Sequence, residues 1–244
     1  MTILDTYVVS AVGTPIYVVR PEVAEPAPGV VILHEAWGLT EDVKALARSA
    51  AACGFVAAAP DLLDGYSRVR AVRDAARGHG PSFHRIAKVV EWLGSNGGAD
   101  PDRTGAIGLS MGATMALRLA TRGHFKVVAA YYGFTPPDED LASCCPVVAS
   151  YGDRDWLVRD QGVRLKKVLD EHGIPNDVKS YSDAGHSFLA DPPSGPVAGM
   201  MTKFLGTGPS AEAAEDAWSR TSEFLSRHLS AVRDSPQSRL PLML

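Results

Sequence analysis

Gly108-Leu109-Ser110-Met111-Gly112 is the stretch on which the fold turns. It has the form G-x-S-x-G. Thr104-Gly105-Ala106-Ile107 leads into it as a short apolar run, and Ala113-Thr114-Met115-Ala116-Leu117-Arg118-Leu119-Ala120 follows with helical composition. Strand, sharp turn, helix is the context in which this pentapeptide carries chemistry. The turn strains the backbone of the serine and lifts its hydroxyl above the sheet edge. The flanking glycines let strand and helix approach. The helix N-terminus behind Ser110 offers unpaired amides and a positive dipole end. Without those flanks the same string is an ordinary strand-to-helix turn.

Working outward, strands and helices alternate. Tyr7-Val8-Val9 and Ile16-Tyr17-Val18-Val19, parted by Gly13-Thr14-Pro15, read as an opening hairpin. Val30-Val31-Ile32-Leu33 and Phe55-Val56-Ala57-Ala58-Ala59 are continuous apolar runs, as strands buried on both faces of a parallel sheet require. Thr40 caps a helix reaching about Cys53, with Asp42 in its first turn. In the arginine-rich segment 66–79, Arg70, Arg73 and Arg77 share one helical face and Val69, Val72 and Ala76 another, the pattern of an amphipathic helix with a solvated basic face, with an anion-binding lid as the alternative. Pro81 to Leu93 reads as a helix. Val127–Tyr132, Pro146–Tyr151 and Val178–Tyr181 read as strands, with a helix from about Asp160 to His172. Ser210 to Leu229 reads as the last helix, with Trp218, Thr221, Leu225 and Leu229 at core spacing. The expected fold is α/β: a mostly parallel central sheet with helices on both faces. Residues 1–234 are expected to form one domain, with a loose tail at 235–244. Polar residues gather just past strand C-termini, where open parallel sheets bind ligands.

Composition narrows the partners. The chain has 244 residues, 45% hydrophobic and 21% charged, with a net charge of -4. That mild acidity gives no reason to expect nucleic acid as a partner. No apolar run has the length of a membrane span, and Met1-Thr2-Ile3-Leu4-Asp5 shows no basic, apolar leader. The three cysteines, Cys53, Cys144 and Cys145, lack metal-ligand spacing and read as buried thiols in a reducing compartment. A cytoplasmic protein with no metal and no organic cofactor is the expectation.

A serine hydroxyl is a poor nucleophile near neutrality. It needs a base within hydrogen-bond reach, and the base needs a carboxylate to fix its tautomer. On strand-elbow-helix sheets the chain order is Ser, acid, His. Of the histidines after Ser110, His124 follows the elbow helix, and His172 and His228 close helices. His186 alone lies in a Gly-containing loop after the last strand. The acid should leave a strand end between Ser110 and His186. Asp153 and Asp155 both qualify, and Asp155, deeper in its loop, is preferred. An oxyanion hole needs two backbone N–H groups. Met111, directly after the nucleophile, supplies one; Ala36, in the loop after Val30–Leu33, is well placed for the other.

At this point the sequence resembles the dienelactone hydrolase family of the α/β-hydrolase fold. The carrying residues are His34-Glu35-Ala36-Trp37-Gly38, Pro60-Asp61-Leu62, the Ser110 elbow, Gly152-Asp153-Arg154-Asp155 and Ala184-Gly185-His186-Ser187-Phe188, with Ala213–Thr221 similar to the family's closing helix. They span about positions 30 to 225 in order. The resemblance implies Asp155 as acid, His186 as base and Glu35 as a carboxylate beside the nucleophile. This chain departs from the family pattern in three ways. Serine replaces the usual cysteine of G-x-C-x-G, which leaves Glu35 to order the site rather than activate a thiol. The two arginines that hold the substrate carboxylate in dienelactone-type members are missing, with Gly65 and Ala190 near their places. Residues 190–209 are longer than the usual connection, and with Met200, Met201 and Phe204 are expected to shape the pocket entrance, with packing on the protein body or on another subunit as the alternatives.

The expected function is serine-dependent hydrolysis of small carboxylic esters or lactones. Trp37 and Phe188 are expected in the substrate pocket, and its apolar lining favours neutral substrates over dienelactone. A thioesterase or acyltransferase using the same triad, and a catalytically silent binding scaffold, are the alternatives. Oligomeric state is not legible.

Overall fold

The structure of the protein, a computed structural model, describes residues 13–22, 26–189 and 210–230 in full and 3–9 as backbone. The expected pocket entrance at 190–209 and the tail at 235–244 lie outside the described residues.

An eight-stranded sheet runs through the molecule. The elements in chain order are β1 (Ile3–Val9), β2 (Pro15–Pro21), β3 (Ala27–Leu33), α1 (Glu41–Ala52), β4 (Val56–Pro60), α2 (Arg68–Arg77), α3 (Pro81–Ser95), β5 (Ala99–Leu109), α4 (Met111–Ala120), β6 (Val128–Tyr131), a 3-10 turn (Asp138–Ser143), β7 (Val147–Gly152), α5 (Gln161–Glu171), β8 (Asn176–Tyr181) and α6 (Ala211–Leu229). The strand order is β1-β2-β4-β3-β5-β6-β7-β8. β2 pairs antiparallel with β1 and β4; every pairing from β4 through β8 is parallel.

Val30, Val31, Ile32 and Leu33 are each 0% exposed, as the unbroken apolar run requires of a strand covered on both faces. Burying each such side chain contributes about 1.5–3 kcal/mol. The hairpin β1–β2 forms with Tyr7 opposite Tyr17. Thr40 caps α1, its Oγ1 accepting the Val43 N–H at 3.5 Å. Thr221, Leu225 and Leu229 of α6 are buried, and Trp218 packs half-buried beside them.

The site is positioned by a change of direction in the winding. From β3 the chain moves outward to β4, then crosses back to lay β5 on the other side of β3. The connections leaving the C-terminal ends of β3 and β5 therefore lead to opposite sides, the kind of switch point at which open parallel sheets bind ligands. Glu35 follows the end of β3 and Ser110 the end of β5, on adjacent strands.

Some expectations are corrected. On α2 the inward face is Ala71, Asp74 and Ala75; Val69 is 70% exposed, and Val72 and Ala76 also face out. Asp74 turns inward because its carboxylate is the acceptor at the start of α3, taking the Ser82 N–H at 3.1 Å, the Ser82 hydroxyl at 2.8 Å and the Tyr66 hydroxyl at 3.1 Å. The two small alanines allow the close approach this needs. Cys53, the C-cap of α1, is exposed; Cys144 is buried and Cys145 half-buried. β5 starts at Ala99, earlier than its apolar run, because Ala99 and Asp100 pair with Ala27 and Pro28 across an irregularity in register.

Candidate active site

Ser110 has φ 50° and ψ -111°, a backbone conformation rare outside glycine. Close packing on both sides of the elbow forces it. A Cβ on Gly108 would overlap the backbone of Gly112 and Ala113, and one on Gly112 would overlap the carbonyl of Leu33. The strain is held by the Ser110 N–H donating to Tyr131 O at 2.9 Å and by Ser110 O accepting from Thr114 N–H at 3.0 Å and from the Thr114 hydroxyl at 3.2 Å.

The structure brings Ser110, His186 and Asp155 together. Ser110 Oγ lies 2.9 Å from His186 Nε2, and His186 Nδ1 lies 2.6 Å from Asp155 Oδ2. A carboxylate only accepts, so Nδ1 carries the proton and Nε2 is left to accept from the serine. Asp155 is 1% exposed and His186 6%. The second oxygen of Asp155 accepts the Leu157 N–H at 3.0 Å, which fixes the carboxylate plane. Asp153 is exposed, two residues away and outside this chain of bonds. The acid and histidine loops meet because Gly152 has no side chain: a Cβ there would overlap Ala184 O. The Asp153 N–H donates to Tyr181 O at 2.9 Å and the Arg154 N–H to Ala184 O at 3.0 Å, locking the two loops together.

Met111 opens α4, so its N–H has no intrahelical acceptor. Ala36 is half-buried in the loop after β3. Among the described residues, no backbone acceptor takes either N–H. Trp37 is half-buried beside it, with the Arg68 guanidinium 5.2 Å from its ring centroid. Phe188 follows His186 by two residues. It is 1% exposed and packs edge-on and tilted against Tyr131, Tyr132 and Tyr181, at centroid distances of 6.5, 5.5 and 5.5 Å. Ser187, directly before it, has a positive φ of 58°.

Glu35 is 6% exposed. Its Oε2 accepts the Ser187 hydroxyl at 3.0 Å, which ties it to the residue after His186. Burial pushes its carboxyl above the ordinary carboxylate range, opposed by the neighbouring His186, the Tyr132 phenol and the Ser187 bond. Among the described residues, Glu35 Oε1 and the Tyr132 hydroxyl are both buried without a hydrogen-bond partner. Tyr132 is fully buried at φ 45°, its ring 5.0 Å from that of His186. Sequence reading gave Tyr132 and Ser187 no role in the site. Their position directly after a strand end and directly after His186 is the signal; their positive φ values leave no trace in residue type.

Among the described residues no group of His, Cys, Asp and Glu side chains has the arrangement to hold a metal ion, and no helix is long and apolar enough to cross a membrane.

The model of the dienelactone hydrolase family matches residues 15–229. A carboxymethylenebutenolidase of Rhodococcus opacus is 28% identical over 218 residues, covering 82% of this chain and 81% of that protein. Among solved structures, a dienelactone hydrolase-like promiscuous phosphotriesterase from metagenomic libraries superposes with a TM-score of 0.75 at 22% identity, over 93% of this chain and 98% of the other. A thermostable esterase from Pseudomonas putida gives a TM-score of 0.68 at 15% identity, over 93% and 83%. These structural likenesses bear on the α/β-hydrolase fold.

Proposed function

The chain belongs to the dienelactone hydrolase family, and on that premise we propose that it hydrolyses carboxylic esters or lactones through an acyl-serine at Ser110. One observation carries the reading: the continuous chain Ser110 Oγ, His186 Nε2, His186 Nδ1, Asp155 Oδ2, at 2.9 and 2.6 Å. Ser110 passes its proton to His186 and attacks the substrate carbonyl. Asp155 keeps the ring in the accepting tautomer and stabilises the imidazolium. The oxyanion takes the N–H groups of Ala36 and Met111. His186 then protonates the leaving alkoxide, and a water, deprotonated by the same ring, releases the acid and restores the serine hydroxyl. Glu35 orders the loop of His186 through Ser187. Residues 1–234 act as one catalytic domain in the cytoplasm, on small molecules.

The substrate class follows from charge. A buried substrate carboxylate without a paired cation costs several kcal/mol, and the family's two arginines are absent here. Neutral, moderately apolar acyl groups suit the site. A second reading rests on Arg68: its guanidinium over Trp37 brings a cation to the loop that carries Ala36, which suits a carboxylate-bearing ester. A panel of neutral esters of graded acyl length, each paired with a carboxylate-bearing analogue, separates the readings. Ser110→Ala serves as the blank. Neutral substrates preferred by at least about tenfold support the first; hydrolysis undiminished in Ser110→Ala contradicts both.

A further inference from the structure

We infer that His34 is a positioning residue that aims the Ala36 amide at the reacting carbonyl oxygen, an inference that rests on the acyl-serine reading above. His34 is 0% exposed and lies at the C-terminal end of β3, directly before Glu35. Its ring is held on both sides. The Leu62 N–H lies 2.9 Å from Nε2, and the Glu35 carbonyl lies 2.6 Å from Nδ1. A backbone N–H can only donate, so Nε2 is an acceptor; a carbonyl can only accept, so Nδ1 carries the proton. These two contacts admit one neutral tautomer.

The consequence falls on the next peptide. No peptide bond among the described residues is cis, so the Glu35 carbonyl and the Ala36 N–H point in opposite directions from one rigid plane. His34 Nδ1–H and the Gly38 N–H, at 3.2 Å, both draw the Glu35 oxygen to their side. The Ala36 N–H is thereby turned to the opposite side, where no backbone acceptor among the described residues takes it. That loop borders the elbow, since Gly112 lies so close to the Leu33 and His34 carbonyls that a Cβ would overlap them. Through Leu62, 0% exposed and just past β4, the ring also ties the Ala36 loop to the neighbouring strand end.

His34 does not compete with His186 for the proton of Ser110, because both its nitrogens are occupied. Burial lowers its basicity, against the pull of its own backbone contact and of Asp61 at 3.8 Å. The Asp61 oxygen concerned already accepts the Leu63 N–H at 3.0 Å. A second proton on the ring would face the Leu62 N–H head-on.

The test compares His34→Leu, which removes both contacts, with His34→Gln, which carries a donor and an acceptor in one amide. Loss of an oxyanion donor costs about 10²- to 10³-fold in kcat. Misaiming one should cost less, and we expect His34→Leu to lower kcat about 10- to 100-fold at little-changed KM. Affinity for a boronic-acid analogue of the tetrahedral intermediate should fall with kcat, which a general loosening of the fold does not require. His34→Gln should recover most of the loss. Wild-type kcat in a folded His34→Leu, or no recovery in His34→Gln, overturns the inference. Nitrogen-15 NMR of the intact wild-type protein decides it independently of whether His34→Leu folds. A proton on Nδ1 alone is expected; one on Nε2 overturns the assignment. Full activity in Ser110→Ala would remove the acyl-serine reading while leaving the ring tautomer measurable.

Discussion

Asp155 Oδ2 accepts the Nδ1–H of His186 at 2.6 Å, with both side chains withdrawn from water. Asp153, one turn of loop away, is exposed and makes no such contact. Asp155→Asn should leave the fold intact and present the wrong tautomer to Ser110, lowering kcat on the order of 10⁴-fold. Asp153→Asn should stay within about twofold of wild type, as expected for a surface substitution. Steady-state kinetics on one activated ester checks both; the reverse ranking reassigns the acid.

Glu35 makes a prediction about pH. Burial raises its carboxyl above the ordinary value of 4.5. The folded state therefore holds this proton to higher pH than the unfolded chain does. The stability Glu35 contributes is fully present below 4.5 and is lost as pH rises through its folded-state value. Glu35→Gln stays neutral throughout and still offers an oxygen to the Ser187 hydroxyl. Its denaturation midpoint should match wild type in acid and exceed it increasingly toward neutral pH. A difference that grows on acidification contradicts the assignment.

Arg68 tests the substrate reading. Its guanidinium lies over the ring of Trp37, next to Ala36 in sequence. If the site is built for neutral acyl groups, Arg68→Ala leaves the ratio of neutral to carboxylate-bearing ester unchanged in kcat/KM. A charge-assisted contact is worth about 1.5–3 kcal/mol, roughly one to two decades. A selective loss of that size for the anionic ester transfers the account to the second reading.

The periodic parts of this chain are legible because burial on both faces of a parallel sheet writes itself as unbroken apolar runs. Val30–Leu33 and Val56–Ala59 show it directly. The elbow is legible because only glycine tolerates the approach of β5 to α4 at Gly108 and Gly112. The convergence of Asp155 and His186 on Ser110 followed from strand ends and chain order. What was hidden depends on tertiary partners. Val69 and Val72 look like an inward face, but Asp74 is drawn inward instead by Ser82 and Tyr66. Phe188 reads as pocket lining, and its ring contacts with Tyr131, Tyr132 and Tyr181 leave no sign in the sequence around it. Tyr132 reads as the last apolar residue of a strand, and its place against His186 and Glu35 appears only when β6 lies beside β5.

The central claim is that Ser110 is the nucleophile, raised by the strained elbow and served by His186. Intact-mass and peptide mapping after exposure to a fluorophosphonate ester measures this most directly, because the reagent reacts with a serine only when its hydroxyl is activated. The account predicts one phosphonyl adduct per chain, on Ser110, formed in step with loss of ester hydrolysis, and none in His186→Ala. Undiminished hydrolysis after full labelling, or an adduct mapped to another residue, would contradict it.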